Sequence, residues 1–346
     1  LDQDQAFFKN LFSDPSEIRK ERELSVEKSP LISIIMTAYN TARYLPVAIE
    51  SVLCQTYDHW ELLVADDGST DASRAIIDSF SEKDERIKAT HNEENAHYLR
   101  TRNRLINIAE GAFITFLDSD DRMTPDRLEK QLTFMQQRPD TALCGSFVSY
   151  IDESGHPLKV QREDPPTDDQ AIRNALPNFN PVTGSTIFIR AEILKAFGGY
   201  RDFFHGLCSE DYDLVSRVAE KYPIANVPER LYIYRQFEAS TSRAGRENPM
   251  KRFSGEIVQS LIQERRQGKE DAIARGDLDV ISNWVDEFAA PYESDASLVY
   301  IDLVASHLHA GLKRKAFYAA WLAIKANPWK SYNYRTLWYT VKKLVR

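Results

Sequence analysis

No stretch of this chain approaches the roughly 18 uninterrupted apolar residues of a membrane-crossing helix, so no such span is expected in its 346 residues. The opening LDQDQAFFKN has neither the basic nor the apolar region of a signal peptide. Cysteine is scarce. Cys54, Cys144 and Cys208 are scattered without metal-ligand spacing, and an odd number does not suit a disulfide framework. A reducing, cytoplasmic setting is the expectation. No G-x-G-x-x-G fingerprint and no P-loop occurs, which removes the commonest dinucleotide and triphosphate motifs. The net charge of −8 gives no basic surplus, and no nucleic-acid partner is expected. One local absence stands out. Leu303 to Arg346 holds nine Lys or Arg and no Asp or Glu, leaving 35 basic against 52 acidic residues elsewhere, a balance of −17. Tail and body should meet different partners.

What is present is ordinary folded composition, 42% hydrophobic and 28% charged. Residues 1–29 are polar, with one helix expected over 14–24. From Pro30 the pattern changes. Leu31–Met36, Trp60–Ala65, Ile87–Thr90 and Phe113–Leu117 read as buried strands. Helical periodicity separates them, at 45–53, around Ala75–Phe80 and over Tyr98–Glu110. Strands alternating with helices predict an α/β fold with a mostly parallel sheet, whose ligands bind at the carboxyl ends of the strands. Further on, Pro125–Gln137 predicts a helix, Ala142–Tyr150 a strand, Ser185–Arg190 a strand, Ala191–Phe197 a helix and 209–221 another. After about residue 245 the chain should be largely helical. The domains expected are a polar segment 1–29, a catalytic domain 30–245 and a helical region 246–346.

The polar clusters fall where such a sheet binds ligands: Thr37-Ala38-Tyr39-Asn40, Asp66-Asp67-Gly68-Ser69, and Asp118, Asp120 and Asp121 after FITFL. Three carboxylates crowded at a strand end repel one another. Either they form a solvated turn, or they hold a hard cation with oxygen ligands alone, which suits Mg²⁺ or Mn²⁺.

Taken in order, PLISIIMTAYN, ELLVADDGSTD, Asn103 with AEGAFITFLDSDD, GSTIFIRAEILKAFGGYRD and SEDYDL resemble glycosyltransferase family 2 with the GT-A fold, over roughly 30–242. The resemblance implies an inverting transfer from a nucleotide diphosphate sugar, of UDP or dTDP type, to a glycan or lipid-linked hydroxyl, in bacterial surface-polysaccharide assembly. Thr37, Tyr39 and Asp67 would hold base and ribose, Tyr39 by stacking. Asp118 would reach the ribose and share the metal with Asp120, with Asp121 a further candidate ligand. Asp211 would be the base that deprotonates the acceptor. Arg102 would either neutralise the diphosphate or pair with a surface acid. His205 and Cys208 receive no role. Two departures from the family pattern stand out. Phe237 occupies the place of a His that completes the metal shell in many relatives, and Asn92–His97 replaces an Asn-x-Gly. The rival readings are a nucleotidyltransferase and a sugar-nucleotide-binding or scaffold protein without turnover.

In the tail, helices are expected over Lys313–Ala326 and Ser331–Val345. The second should gather Tyr334, Leu337, Trp338, Val341 and Leu344 on one face, with lysines elsewhere. Such a stretch either lies on an anionic membrane surface, at the inner face, or packs on the body or a partner chain.

Overall fold

The computed structural model describes residues 29–158, 164–236, 248–309 and 312–345. The helix expected over 14–24 and Phe237 lie outside the described residues.

The first half alternates strand and helix: β1 (Ile32–Ala38), α1 (Leu45–Leu53), β2 (Trp60–Asp66), α2 (Ser73–Ser81), β3 (Ile87–His91), α3 (Tyr98–Ile108) and β4 (Phe113–Phe116). Then come β5 (Arg122–Met123), α4 (Arg127–Gln136), β6 (Leu143–Ile151), α5 (Asp169–Ala175), β7 (Phe188–Arg190), α6 (Ala191–Ala196), α7 (Glu210–Lys221) and β8 (Ile224–Arg235). All eight strands join one sheet in the order β3-β2-β1-β4-β7-β6-β8-β5. The β3-β2-β1-β4 block is parallel, as is β6 with β8, while β7 and β5 pair antiparallel.

The apolar runs are nearly continuous because both faces of the sheet are covered. Along β1 the side chains alternate between two cores: Ile35 joins Leu63 and Phe116, while Ile32, Ile34 and Met36 join Leu62 and Val64. The chain runs outward from β1 to β3 and returns to place β4 on the other side of β1. That reversal is a topological switch point, where a crevice opens at the strand ends. Ile35 pairs with Phe116, so the chains leaving β1 and β4 emerge side by side.

Two expectations change. Of the strand expected over Ser185–Arg190, Gly184–Thr186 forms a 3₁₀ turn and only Phe188–Arg190 pairs. The twelve-residue β8 was not expected at all. Pro228 and Glu229 sit at a shift in its register with β6, between Val227 and Arg230, and this bulge breaks the alternation that would have marked a strand.

Beyond the sheet lie α8 (Pro249–Arg252), α9 (Ser254–Arg266) and α10 (Leu278–Ser294), then α11 (Ser297–His309), α12 (Lys313–Ala326) and α13 (Ser331–Val345). Phe253, Ile257, Leu261, Ile281 and Val285 share the core that contains Ile35 and Phe116. The last three helices instead build a small core of their own from Val304, Ala319 and Ala320, flanked by Leu308 and Leu337. Both tail helices occupy the ranges expected. On α13, however, the covered positions are Asn333, Leu337 and Thr340, while Tyr334, Trp338 and Val341 face outward. Among the described residues no helix is long and apolar enough to cross a membrane.

Candidate active site

A cleft of about 490 Å³ opens at the switch point, and Thr37, Tyr39, Asp67, Arg102, Asp118, Asp120, Asp121 and Asp211 all line it. Residues up to 174 positions apart in sequence are thus brought to one surface, each from a strand end or a helix start.

One wall is stitched from the ends of β1 and β2. Asn40, at φ +53°, accepts from the Thr70 backbone N–H at 2.8 Å, and Ala42 N–H donates to Asp71 at 3.0 Å. Tyr39 is left 48% exposed over the cleft. Asp67 is buried, and its Oδ1 accepts from Asn92 Nδ2, from Thr101 Oγ1 at 2.8 Å and from Ala96 N–H at 3.1 Å. The Asn92–His97 segment therefore packs directly on Asp67. Gly68 makes this possible: at φ +77° a Cβ there would stand 2.7 Å from the Asn95 backbone nitrogen.

The carboxylates after β4 have different surroundings. Asp118 accepts from Arg102 through Oδ1 and from Ser185 Oγ through Oδ2 at 2.6 Å. Arg102 is largely buried, and the acid it pairs with is Asp118, partly exposed in the cleft. Both oxygens of Asp121 are engaged, Oδ2 by Tyr232 OH at 2.9 Å and Oδ1 by the Arg235 backbone N–H at 2.6 Å. Asp120 differs, because no other residue among those described hydrogen-bonds its carboxylate; Arg235 Nε donates instead to its backbone carbonyl, at 2.8 Å. Burial first, and then the neighbouring charge of Asp118, pushes the Asp120 carboxyl up to about 6. Burial and the same neighbours push Asp121 well above the usual carboxylate range.

Across the cleft, Ser209 adopts a left-handed conformation (φ +72°) immediately before α7 and turns Glu210 and Asp211 inward. Asp211 accepts from the Tyr212 N–H at 2.8 Å and from Asn180 Nδ2 at 3.3 Å. Burial raises its pKa, with the Tyr212 N–H, Arg102 and the Gly184 N–H opposing. Burial and the adjacent Asp211 push Glu210 up to about 7. Perturbed carboxylates facing one another in a cleft mark a functional site.

Several lining residues had no role in the sequence expectations: Glu210, Ser185, Tyr98, Tyr234 and Arg235. Glu210 was within reach, as the neighbour of Asp211. Tyr232 carried no signal, because β8 itself was hidden, while Tyr234 and Arg235 stood in the family pattern that runs to Phe237 but received no role. His205 stands edge-on to His97, with ring centroids 4.7 Å apart, and Cys208 lines the cleft.

Among the described residues, no group of three or more His, Cys, Asp or Glu is placed to hold a metal ion by itself. The half-buried carboxylate of Asp120, without a hydrogen-bond donor among the described residues, nonetheless fits beside Asp118 a hard divalent cation whose other ligands come from phosphate and water, the usual manner for Mg²⁺.

The geometry agrees with what comparison finds. The sequence profile of Glycosyl transferase family 2 matches residues 33–198. TuaG of Bacillus subtilis (strain 168), named for teichuronic acid biosynthesis, is 38% identical over 151 residues, 42% of this chain and 59% of that protein. EpsE of the same organism, named as a glycosyltransferase, is 32% identical over 213 residues, 61% of this chain and 75% of that protein. The chain belongs to glycosyltransferase family 2. Its fold is GT-A. S. aureus TarS 1–349, solved with UDP-GlcNAc, superposes with a TM-score of 0.56 at 20% identity, covering 67% of this chain and 66% of that one. The mannosyltransferase PcManGT of Pyrobaculum calidifontis, solved with GDP-Man and Mn²⁺, gives 0.53 at 15% identity over 94% and 92%.

Proposed function

We propose that this chain transfers a sugar, with inversion and with a divalent cation, from a nucleoside diphosphate sugar to a hydroxyl of a glycan or lipid-linked acceptor in bacterial surface-polysaccharide assembly. One observation carries the reading: a single cleft holds the open Asp120 carboxylate on one side and the half-buried Asp211 carboxylate on the other. Tyr39 offers an exposed ring for base stacking, and Asp67 is oriented by three donors to its Oδ1. Asp118 and Asp120 would hold Mn²⁺ or Mg²⁺, which when bound neutralises charge developing on the departing diphosphate. Asp211 is the base for the acceptor hydroxyl; its raised pKa suits proton abstraction. Asp121, with both oxygens satisfied, braces the loop rather than binding the metal. UDP or dTDP donors are favoured, a preference that the UDP-GlcNAc bound to the structural neighbour TarS supports.

The same reading puts the protein on the inner membrane face through 313–345. Outward-facing Trp321, Trp329 and Trp338 among lysines support it.

Calorimetric titration of UDP, dTDP and GDP, with Mn²⁺ and with chelator, tests the donor side. One nucleotide should bind only with metal, and Asp120→Ala should abolish that binding. Asp211→Asn should keep nucleotide binding and lose turnover about 10²–10⁴-fold. Binding of none of the three nucleotides sinks the reading.

A further inference from the structure

We propose that the segment Asn180–Ser185 is a clamp that fixes Asp211 and Asp118 relative to each other, with Asn180 and Ser185 as positioning residues. The proposal rests on the roles given to those two carboxylates above.

Six consecutive residues touch both sides of the cleft. At one end Asn180 Nδ2 donates to Asp211 Oδ2 at 3.3 Å, while Asn180 Oδ1 accepts the Val182 N–H at 3.1 Å. The amide is therefore oriented, since its oxygen is occupied and only its nitrogen can face the carboxylate. At the other end Ser185 Oγ donates to Asp118 Oδ2 at 2.6 Å. Between them Gly184 lies against the base. A Cβ at this position would fall 2.4 Å from Asp211 Oδ2 and 2.7 Å from its Cβ, so only glycine lets the carboxylate sit there. This close approach also explains why the chain turns at Gly184–Thr186 instead of continuing as a strand.

The clamp is anchored from below by buried polar side chains of other elements. Arg127 of α4 is fully buried and donates to the Ser185 carbonyl at 2.9 Å and to the Phe116 carbonyl at 3.0 Å. It thereby ties the clamp to the end of β4, from which Asp118 emerges. Asn226 of β8, also buried, donates to the Pro181 carbonyl at 3.0 Å. Buried donors of this kind are costly unless satisfied, and satisfied they hold one geometry. The distance between the two carboxylates is thus set by a short, twice-anchored segment rather than by the long path through α7.

The charged groups around Asp211 are Glu210 beside it and Arg102 across the cleft, with the Tyr200 hydroxyl nearby. Removing the Asn180 donor takes a hydrogen bond from the charged form, so Asp211 should keep its proton to higher pH.

The full chain is labelled with aspartate carrying ¹³C at the carboxyl carbon, and the Asp211 signal is assigned by its loss in Asp211→Asn. Asn180→Ala should raise the Asp211 titration midpoint by about one unit, the low end for loss of a hydrogen bond to a charged group. Its calorimetric affinity for UDP with Mn²⁺ should not change. Ser185→Ala should do the reverse, weakening UDP binding about tenfold, the equivalent of one charge-assisted hydrogen bond, and leaving the Asp211 midpoint in place. Gly184→Ala is the second variant, displacing the same carboxylate without touching Asn180. An unmoved midpoint in folded Asn180→Ala or Gly184→Ala overturns the proposal. If native protein binds none of UDP, dTDP and GDP, the donor reading fails by itself, while the Asp211 titration still decides the Asn180 half of the clamp; if only dTDP or GDP binds, that nucleotide replaces UDP in the Ser185 arm.

Discussion

The guanidinium of Arg102 donates to Asp118 Oδ1 within the cleft, while its own Nε–H is buried without an acceptor. The rings of Tyr98 and Phe116 lie 5.2 and 5.9 Å from it. It is the ion-pair partner of Asp118 in the acidic cluster after β4, while Arg235 donates to the Asp120 backbone carbonyl. Arg102→Met should therefore leave Asp118 unpaired and cost about 3 kcal/mol, the low end for breaking a buried ion pair, since Asp118 is partly exposed. Millimolar Mn²⁺ should restore more melting temperature to this variant than to the native chain. Equal Mn²⁺ responses in thermal-shift measurements would contradict that.

Glu210 ties stability to pH. Its carboxyl is raised by burial, and then by Asp211, from an ordinary 4.5 to about 7. Between those values the folded protein holds a proton that the unfolded chain has released, so stability falls as pH rises from about 4.5 to about 7. Glu210→Gln removes that cost. At pH 8 it should be more stable than the native chain by on the order of 1–3 kcal/mol, and the two should converge near pH 4.5. Urea unfolding across pH checks this; a difference that widens toward acid would refute it.

The helix carrying Asp211 is held by a buried ionic group. Asp213 is fully buried and accepts from Arg217 at 2.8 Å, with Arg201 at 3.6 Å and Arg265 of α9 at 4.0 Å. Arg265 also pairs with buried Asp271 at 2.6 Å and donates to Ser216 at 2.7 Å. Arg217 continues to the Phe197 and Gly199 carbonyls. Arg217→Met should cost about 3–5 kcal/mol, measured by urea unfolding. Arg265→Met should cost a comparable amount only if α9 is part of the catalytic unit; a loss under about 1 kcal/mol, the scale of an exposed pair, would separate them.

The tail prediction rests on exposure. Trp329 is 92% and Trp338 62% exposed, and the Lys342 ammonium lies 3.4 Å from the Trp338 ring centroid. In cosedimentation, vesicles containing phosphatidylglycerol should retain the protein at low salt, and phosphatidylcholine alone should not. Replacing Trp321, Trp329 and Trp338 by Ala should release it without altering UDP binding. No retention at low salt removes the membrane reading, and self-association through the same face would replace it with a second copy of the chain.

Much of the sheet was legible. β1, β2 and β4 are buried on both faces, so each is mostly apolar in a local window, broken by single polar residues such as Ser33, Glu61 and Thr115. Polar residues following such runs must lie at strand ends, which placed Thr37, Asp67 and Asp118 correctly near one crevice. Where a bulge interrupts alternation, as at Pro228–Glu229, the local signal vanishes, and with β8 went Tyr232.

By itself, then, the sequence determined which segments are buried, where their polar ends fall and how long the tail helices run, because burial and helix periodicity are written within a few residues. Only the tertiary structure decided partners. It gave Arg102 to Asp118, satisfied both oxygens of Asp121, and left the Asp120 carboxylate without a hydrogen-bond donor among the described residues. It also turned Trp338 outward and Leu337 inward on one helix. These choices depend on what packs against each group from far along the chain, and no local pattern carries that.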